Sequence, residues 1–430
     1  MHDLPVAQPI VEVKNSGFLA ASDPLTVTLL NRWEDIAACA DEWQQLLTNC
    51  QQDSLFLATS WMEAWAARYA VKQLFFITVR DANNHLVSMA PLQISLGRRG
   101  LFRRTVRSLQ FMGTEPDVYD WMTLPLHPSL SEAQRQQALE LIAGQIRRHK
   151  NQWDILDIRY CTDLPILESL QTLLKPITQK ATVAISMPMP KMPLPNTVEG
   201  YHASRKRRLR KALTNATHKL HNDHTKQDFE FVVVPPGAET DAAIAGFFER
   251  HAAYWKARGI KTDAVRFPGL EKFYQAAARE QEAANSLHSH NHNRCRFVVS
   301  HLMLNNQIVS AHLGTWQGDA GNKRYLAHMC NYDVSFSRYR PGMIHFNALV
   351  EYAIQQGANT FDFGRGDEPY KAYWTEDKTT TWTLTLAQSR LAWLRLHADD
   401  RIQLAMGRKI QDPHISAAPE GDAPSSAVFE

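Results

Sequence analysis

The sequence predicts an α/β (α+β) protein built from two similar folds in tandem, each a mixed, largely antiparallel sheet flanked by helices. Two observations predict it. At 430 residues the chain exceeds one ordinary core, and a typical domain of about 150–200 residues divides it into two units plus tails. The order of elements read from hydrophobic period then repeats: both halves run strand, two helices, antiparallel strands, helix, strand.

Residues 1–24 lack an apolar period, as does QDPHISAAPEGDAPSSAVFE at the other end, and both are expected to be disordered tails. The first unit, 25–195, opens with the strand LTVTLL and continues with helices in DIAACADEWQQLLTNC and LATSWMEAWAARYA. FFITVRD and LVSMAPLQI form a hairpin around Ala82-Asn83-Asn84-His85. The helix SEAQRQQALELIAGQIRRH then precedes the strand DILDIRY. ATVAISMPMPKMPLP is strand-rich but holds Pro188, Pro190, Pro193 and Pro195. Proline cannot donate to a ladder, so this stretch is expected to be a linker.

Residues 196–228 read as a basic linking helix and 229–395 as the second unit. FEFVVVP is a strand, and a helix capped near Thr240 sets Ile244, Phe247, Phe248, Ala252 and Trp255 at helical spacing. Pro268-Gly269 leads the helix LEKFYQAAARE, and CRFVVSHLML and IVSAHLGTWQ pair around Asn305-Asn306. The strand KRYLAHMCNYD, the helix PGMIHFNALVEYAIQQG, the strand TFDFG, a short helix EPYKAYW and the strand TTTWTLTLA follow. A terminal helix and tail are expected over 396–430.

A net charge of +3 leaves any affinity for anions to local clusters. Five cysteines, odd in number and without a CxxC pair, point to a reducing compartment and away from a disulfide framework or structural zinc. With no signal peptide and no apolar run of about 20 residues, the chain is expected to be cytoplasmic and without a transmembrane segment. No Walker loop or GxGxxG is present, which argues against nucleotide hydrolysis and redox chemistry. His288, His290 and His292 alternate within LHSHNHN but have no acidic or Cys partner, so no metal is expected.

Two places concentrate chemistry. Ser337, Arg338, Arg340 and Gly342 lie where a strand hands over to a helix, whose unpaired N–H groups and positive dipole end suit phosphate. Asp362 ends the next strand, Gly364 and Gly366 allow a sharp exit, and Asp367-Glu368-Pro369 starts a helix presenting Tyr370, Tyr373 and Trp374.

The stretch YDVSFSRYRPGMIHFNALVEYAIQQGANTFDFGRGDEPYKAYW, Tyr332 to Trp374, closely resembles the signature of a GNAT-like family often labelled as acetyltransferases of cellulose or exopolysaccharide biosynthesis. That family is related to bacterial Fem-type enzymes with two GNAT-like halves. The resemblance implies a GNAT-type N-acyltransferase with acyl-CoA as donor. It further implies direct transfer to an amine, or a hydroxyl, of a sugar, amino-sugar or amino-acid-type acceptor. It implies pantetheine bound along Met329, Cys330 and Asn331, and pyrophosphate at Ser337, Arg338, Arg340 and Gly342. There the family's Arg/Gln-x-x-Gly-x-Gly/Ala is replaced by Arg338-Tyr-Arg-Pro-Gly342. Aminolysis of a thioester needs a base for the ammonium and an acid for the thiolate. Tyr370, then Tyr373, is the expected acid, and Asp367 or Glu368 the base. His312, His328, Asp362, Arg365 and Lys371 are expected to contact the acceptor. Cys330 has no His/Asp partner placed by sequence, so no acyl-enzyme is expected. Fem-type relatives use aminoacyl-tRNA, and SRKRRLRK, Ser204 to Lys211, sets six positive charges in eight residues. An aminoacyl-tRNA-dependent ligase is therefore the alternative, with a non-catalytic polysaccharide-assembly factor as the third; DNA is not expected as a partner.

Overall fold

A computed structural model describes residues 24–396, apart from 53, 70–72, 100–103, 115–118, 224–228, 260–268, 288–294 and 319–320. The expectations for 1–23, for His288, His290 and His292, and beyond 396 lie outside the described residues.

The first half runs β1 (Thr26–Leu30), α1 (Trp33–Ala37), α2 (Ala40–Asn49), α3 (Thr59–Tyr69), β2 (Leu74–Arg80), β3 (Leu86–Arg99), β4 (Arg104–Phe111), α4 (Glu132–Arg148), β5 (Ile155–Cys161), α5 (Leu164–Leu174) and β6 (Lys180–Pro193). Two helices follow, α6 (Val198–Ser204) and the basic α7 (Arg207–Asp223). The second half runs β7 (Phe229–Val233), α8 (Thr240–Ala257), α9 (Leu270–Leu287), β8 (Arg296–Leu304), β9 (Gln307–Gln317), β10 (Arg324–Tyr332), α10 (Pro341–Gln355), β11 (Thr360–Asp362) and β12 (Lys378–Ala387). Local signals place several ends. Ser131 and Gln134 close a capping box on α4, and Asn305 and Asn306 take the positive φ that a tight hairpin requires. β4 was not evident in the sequence because the polar residues of RTVRSLQF outnumber its apolar ones.

The strands form one twelve-stranded sheet in the order β1-β2-β3-β4-β5-β12-β6-β11-β10-β9-β8-β7. The repeat read from element order is thus also a repeat of strand order. In each half the first four strands are antiparallel and the fifth joins in parallel, β4 to β5 and β10 to β11. The closing strands are exchanged: β12 of the second half lies between β5 and β6, and β6 of the first half reaches over to β11.

The expected linker is therefore a central strand, and backbone alternation explains how it tolerates its prolines. Met187 and Lys191 face the β12 edge, where Met187 N–H donates to Thr381 and Lys191 N–H to Asp377 O. Pro188 and Pro190 face the other edge, where only their carbonyls are used, accepting from Gly366 N–H and Phe363 N–H. Pro193 faces an edge that β12 no longer reaches.

The main core is continuous across both halves. At its centre Trp61 of α3 stands edge-on to Phe273 and Tyr274 of α9, with centroids 4.6 and 5.5 Å away, and all three are fully buried. A second core, under α10, gathers Tyr325, Phe346, Phe361, Phe363 and Trp374.

Because β12 completes the first half's sheet, a chain ending at Asp377 is expected to lose protection in both halves. Amide hydrogen exchange at β2, β3 and β5 checks this. Native-like protection there would show that the first half stands without the exchanged strand.

Candidate active site

β10 and β11 pair over only three residues, Arg324↔Thr360, Tyr325↔Phe361 and Leu326↔Asp362. β11 then stops, since Phe363 turns to bond Pro190 and Gly364 and Gly366 adopt φ of 68° and 106°. β10 continues to Tyr332, held by β9 alone. The two parallel strands therefore open into a slot beyond Leu326. A bulge between Leu326 and Met329 re-aims the side chains at its wall. Gly314 lies opposite, where a Cβ would sit 2.5 Å from Tyr325 Oη and 2.8 Å from Leu326 O. His328 and Met329 consequently both face the main core. His328 Nε2 is 2.5 Å from Tyr274 Oη, and its ring centroid is 5.5 Å from that of Phe56. Cys330 returns to the α10 face.

Inside the slot is a cavity of ≈ 20 Å³ walled by Tyr254, Cys330, Tyr332, Gly342, Phe346 and Tyr370, with Ser310, His312, Asn331 and His345 also in its lining. Beside it lies a closed polar network. His345, 2% exposed, contacts Ser310 Oγ through Nδ1 and Ser300 Oγ through Nε2, each at 2.9 Å. Ser310 Oγ donates to Asn331 O at 3.0 Å. The Ser310 proton is thereby committed, so Nδ1–H of His345 donates to Ser310 and Nε2 accepts from Ser300, a tautomer assigned from the network. Burial pushes the His345 pKa well below its usual value, which keeps the ring neutral as that pattern needs. His312 is neutral for the same reason, its pKa lowered to about 3 by burial. Its Nδ1 meets Tyr325 Oη at 3.3 Å, and Nε2 has no protein partner.

Burial, with Cys330 and Glu368 nearby, raises the Tyr370 phenol well above its ordinary pKa. Burial likewise lifts the Cys330 thiol to about 11. Both groups are protonated at neutral pH. The short helix expected at EPYKAYW is a single 3₁₀ turn, Lys371–Tyr373. Lys371 explains why the chain turns here. Almost fully buried, its Nζ donates to the carbonyls of Gly364, Arg365 and Gly366 at 3.3, 2.7 and 3.5 Å and pairs with Glu368 at 2.8 Å. Tyr370 and Trp374 pack on Phe346 with centroids 5.6 and 6.1 Å away, whereas Tyr373 turns outward to accept from Arg208 at 3.0 Å.

The remaining residues singled out from sequence lie around this pocket. Met329 packs on the main core. Asp367 is exposed and pairs with Lys378 at 2.5 Å. Asp362 is fully buried, accepts from Gly364 N–H at 2.9 Å, and has its pKa raised by burial although Arg324 lies 3.8 Å away. Arg365 reaches the first half, 3.4 Å from Asp120 and over the Tyr160 ring at 4.7 Å. Ser337 O accepts from Arg340 N–H, and Arg340 caps α10 in the left-handed region at φ 53°. Arg338 is tied to Asp223 of α7 at 3.1 Å. The structure thus gathers Cys330, Asn331, His312, Gly342 and Tyr370, and sets Asp367, Tyr373, Arg338, Arg365 and His328 outside the cavity lining. Sequence reasoning missed Tyr254, Tyr332, Ser310, His345 and Phe346. The one available signal was Tyr254, an aromatic residue beside the apolar stripe of its helix but outside it.

The first half has the equivalent parallel pair, Ser108↔Ile155 to Gln110↔Asp157, but its slot is filled. Met122 bridges Cys161, donates to Tyr160 O at 3.3 Å and accepts from Thr162 N–H at 3.0 Å. Among the described residues no group of three His, Cys, Asp or Glu could hold a metal, and no helix is long and apolar enough to cross a membrane.

Buried neutral histidines make stability pH-dependent. Burial lowers His312 and His328 to about 3 and His251 and His301 to about 4, from 6.5. The unfolded chain binds these protons first, so their contribution is full above about pH 6.5 and is lost as pH falls toward 4, by up to about 1.4 kcal/mol per unit for each group. Asp362 and Glu63, whose carboxyl pKa values burial raises, oppose this. The melting temperature is expected to be highest near pH 7 and to fall steadily to pH 5. A flat profile would show that the folded protein admits these protons.

No curated protein matches the chain in sequence. Among solved structures it is similar to the C-terminal domain of a putative lysylphosphatidylglycerol synthetase from Agrobacterium fabrum, at 10% identity and TM-score 0.49 over 86% of this chain and 96% of that one. It is also similar to a tandem GNAT protein from the clavulanic acid biosynthesis pathway, at 11% identity and TM-score 0.45 over 85% and 99%. FemX gives 13% identity and TM-score 0.39 over 83% and 97%. Likeness at this level decides nothing about activity. The part of the chain that carries the open slot, residues 204–372, matches the family described as Acetyltransferase (GNAT) domain.

Proposed function

We propose that the chain transfers an acyl group from a coenzyme A thioester directly to an amine, or a hydroxyl, of a small or glycan-type acceptor, with chemistry in the β10–β11 slot. The observation that carries this reading is the slot itself: a strand edge left open beside the start of α10, lined by a half-buried, protonated tyrosine. Main-chain groups on the free edge of β10 would align the thioester arm, while the first turn of α10 with Arg340 would face the donor's phosphates. Tyr370, protonated at neutral pH, would donate its proton to the departing thiolate. Glu368, 54% exposed in its side chain and held by Lys371, is the carboxylate proposed to relay the acceptor's proton outward. The high thiol pKa of Cys330 favours direct transfer over an acyl-enzyme. At ≈ 20 Å³ the cavity holds about one water, so donor entry requires the tyrosines at its wall to move.

Calorimetric titration with acetyl-CoA and longer acyl-CoAs is expected to give saturable binding that Arg340→Ala weakens. Tyr370→Phe is expected to lower kcat about 10²–10⁴-fold with donor affinity retained. Absence of binding by any coenzyme A species would overturn the donor assignment, and full activity in Tyr370→Phe would remove the phenol from the mechanism.

A further inference from the structure

The basic run from Ser204 to Lys211 is not used by the slot, nor is it one evenly solvated face. Lys206 pairs with Glu376 at 2.6 Å and Arg208 lies 4.1 Å over the Tyr373 ring. Arg205 and Arg210 instead border a cavity of ≈ 360 Å³ between α7 and the first turns of α10, together with Thr214, Thr217, His218 and Asn347. Leu213 and Ile344 supply its apolar wall. Two guanidinium groups face this space and no carboxylate does. The neighbouring cavity, ≈ 270 Å³, has Lys206 and Arg205 balanced by Glu376 and Asp377.

Arg205 is held in place before any ligand arrives. Its Nη1 donates to Asn347 Oδ1 at 3.1 Å, and its guanidinium sits 5.2 Å over the Tyr201 ring. Asn347 is fixed in turn by Tyr201 Oη at 3.0 Å and by Glu351, which accepts from its Nδ2 at 2.7 Å. Two donors are left over: Arg205 Nε is buried without a partner, and the Arg210 guanidinium makes no hydrogen bond or ion pair among the described residues. A carboxylate is planar and has two oxygens, whereas two guanidinium forks beside the Thr214 hydroxyl match the larger acceptor set of a phosphate; the Thr217 hydroxyl already donates to Leu213 O at 2.8 Å.

We infer that the α7–α10 cavity is a binding site for a small phosphorylated ligand, a phosphomonoester or diphosphate, separate from the acyl slot. Its volume lies within the usual range for small-molecule sites and leaves room for more than the phosphate itself. The two sites share α10 but use different residues of it, Ile344 and Asn347 here, His345 and Phe346 in the slot. A phosphate bound here could belong to an acyl acceptor or to the coenzyme, and these sources are separable by competition.

The test is calorimetric titration of the full chain with inorganic pyrophosphate, with and without excess free coenzyme A. Saturable binding is expected in both conditions, about tenfold or more weaker in Arg210→Ala and unchanged in Arg207→Ala, which removes an exposed charge outside the cavity lining. Arg210 is itself exposed, so unchanged melting of its variant verifies the fold. Absence of saturable binding would overturn the inference. So would equal losses in the two variants, which would indicate only a general basic field, or steeply salt-dependent RNA binding without pyrophosphate binding. Displacement by coenzyme A would overturn the separateness of the site and assign the phosphate to the donor. The pyrophosphate result stands or falls whether or not coenzyme A binds.

Discussion

The exchange of closing strands is the constraint on which the rest of this molecule depends. With β12 inserted between β5 and β6, neither half has a complete sheet of its own, and β6 becomes structural to both. The consequence reaches the slot directly. The carbonyls of Pro188 and Pro190 on β6 accept from Gly366 and Phe363, so the loop that ends β11 and leads to Tyr370 is anchored on a strand of the first half. Lys371 then ties the same loop from inside with its three carbonyl contacts. An opening between two strands is useful only if its edges are rigid, and here rigidity comes from outside the half that contains it.

The halves share one plan and differ at one place. Beyond the parallel pair of the first half, the chain around Met122 fills the gap, and the same stretch sends Trp121 across to the second half. Trp121 and Tyr160 are held at φ of 52° and 54°, a conformation that costs a bulky residue about 1–3 kcal/mol. Each ring meets an arginine of the second half, Arg324 over Trp121 and Arg365 over Tyr160, both at 4.7 Å. Both arginines flank the end of β11. Filling one slot therefore supplies aromatic supports for the other.

The parts of the fold written in local pattern were readable. Hydrophobic period, the turns at Asn83-Asn84 and Asn305-Asn306, and the Pro-Gly start of α10 each act over a few residues. Strand order at the centre was not readable, because pairing of β12 with β5 is a tertiary choice that no local period encodes. The prolines of β6 misled for a physical reason: their cost depends on which edge they face, and sequence does not say which edge has a donor to receive. The slot was legible through Cys330, Gly342 and Tyr370, which lie on elements whose order is clear. The buried pair Ser310 and His345 was not, since a serine on a strand and a histidine on an apolar helix face reveal their partnership only when the bulged strand and the helix pack.

The exchanged strand also sets the timing of assembly. Thr385 and Asp157 meet across 228 residues of sequence, and contacts of that span are slow to form because a long loop must close before any burial rewards it. During synthesis β5 and β6 are made well before the strand that separates them. Until it arrives the nascent chain carries two open strand edges, the kind of surface that pairs with the wrong neighbour. Completion of the sheet is thus a late, single step, and its arrival fixes both halves at once.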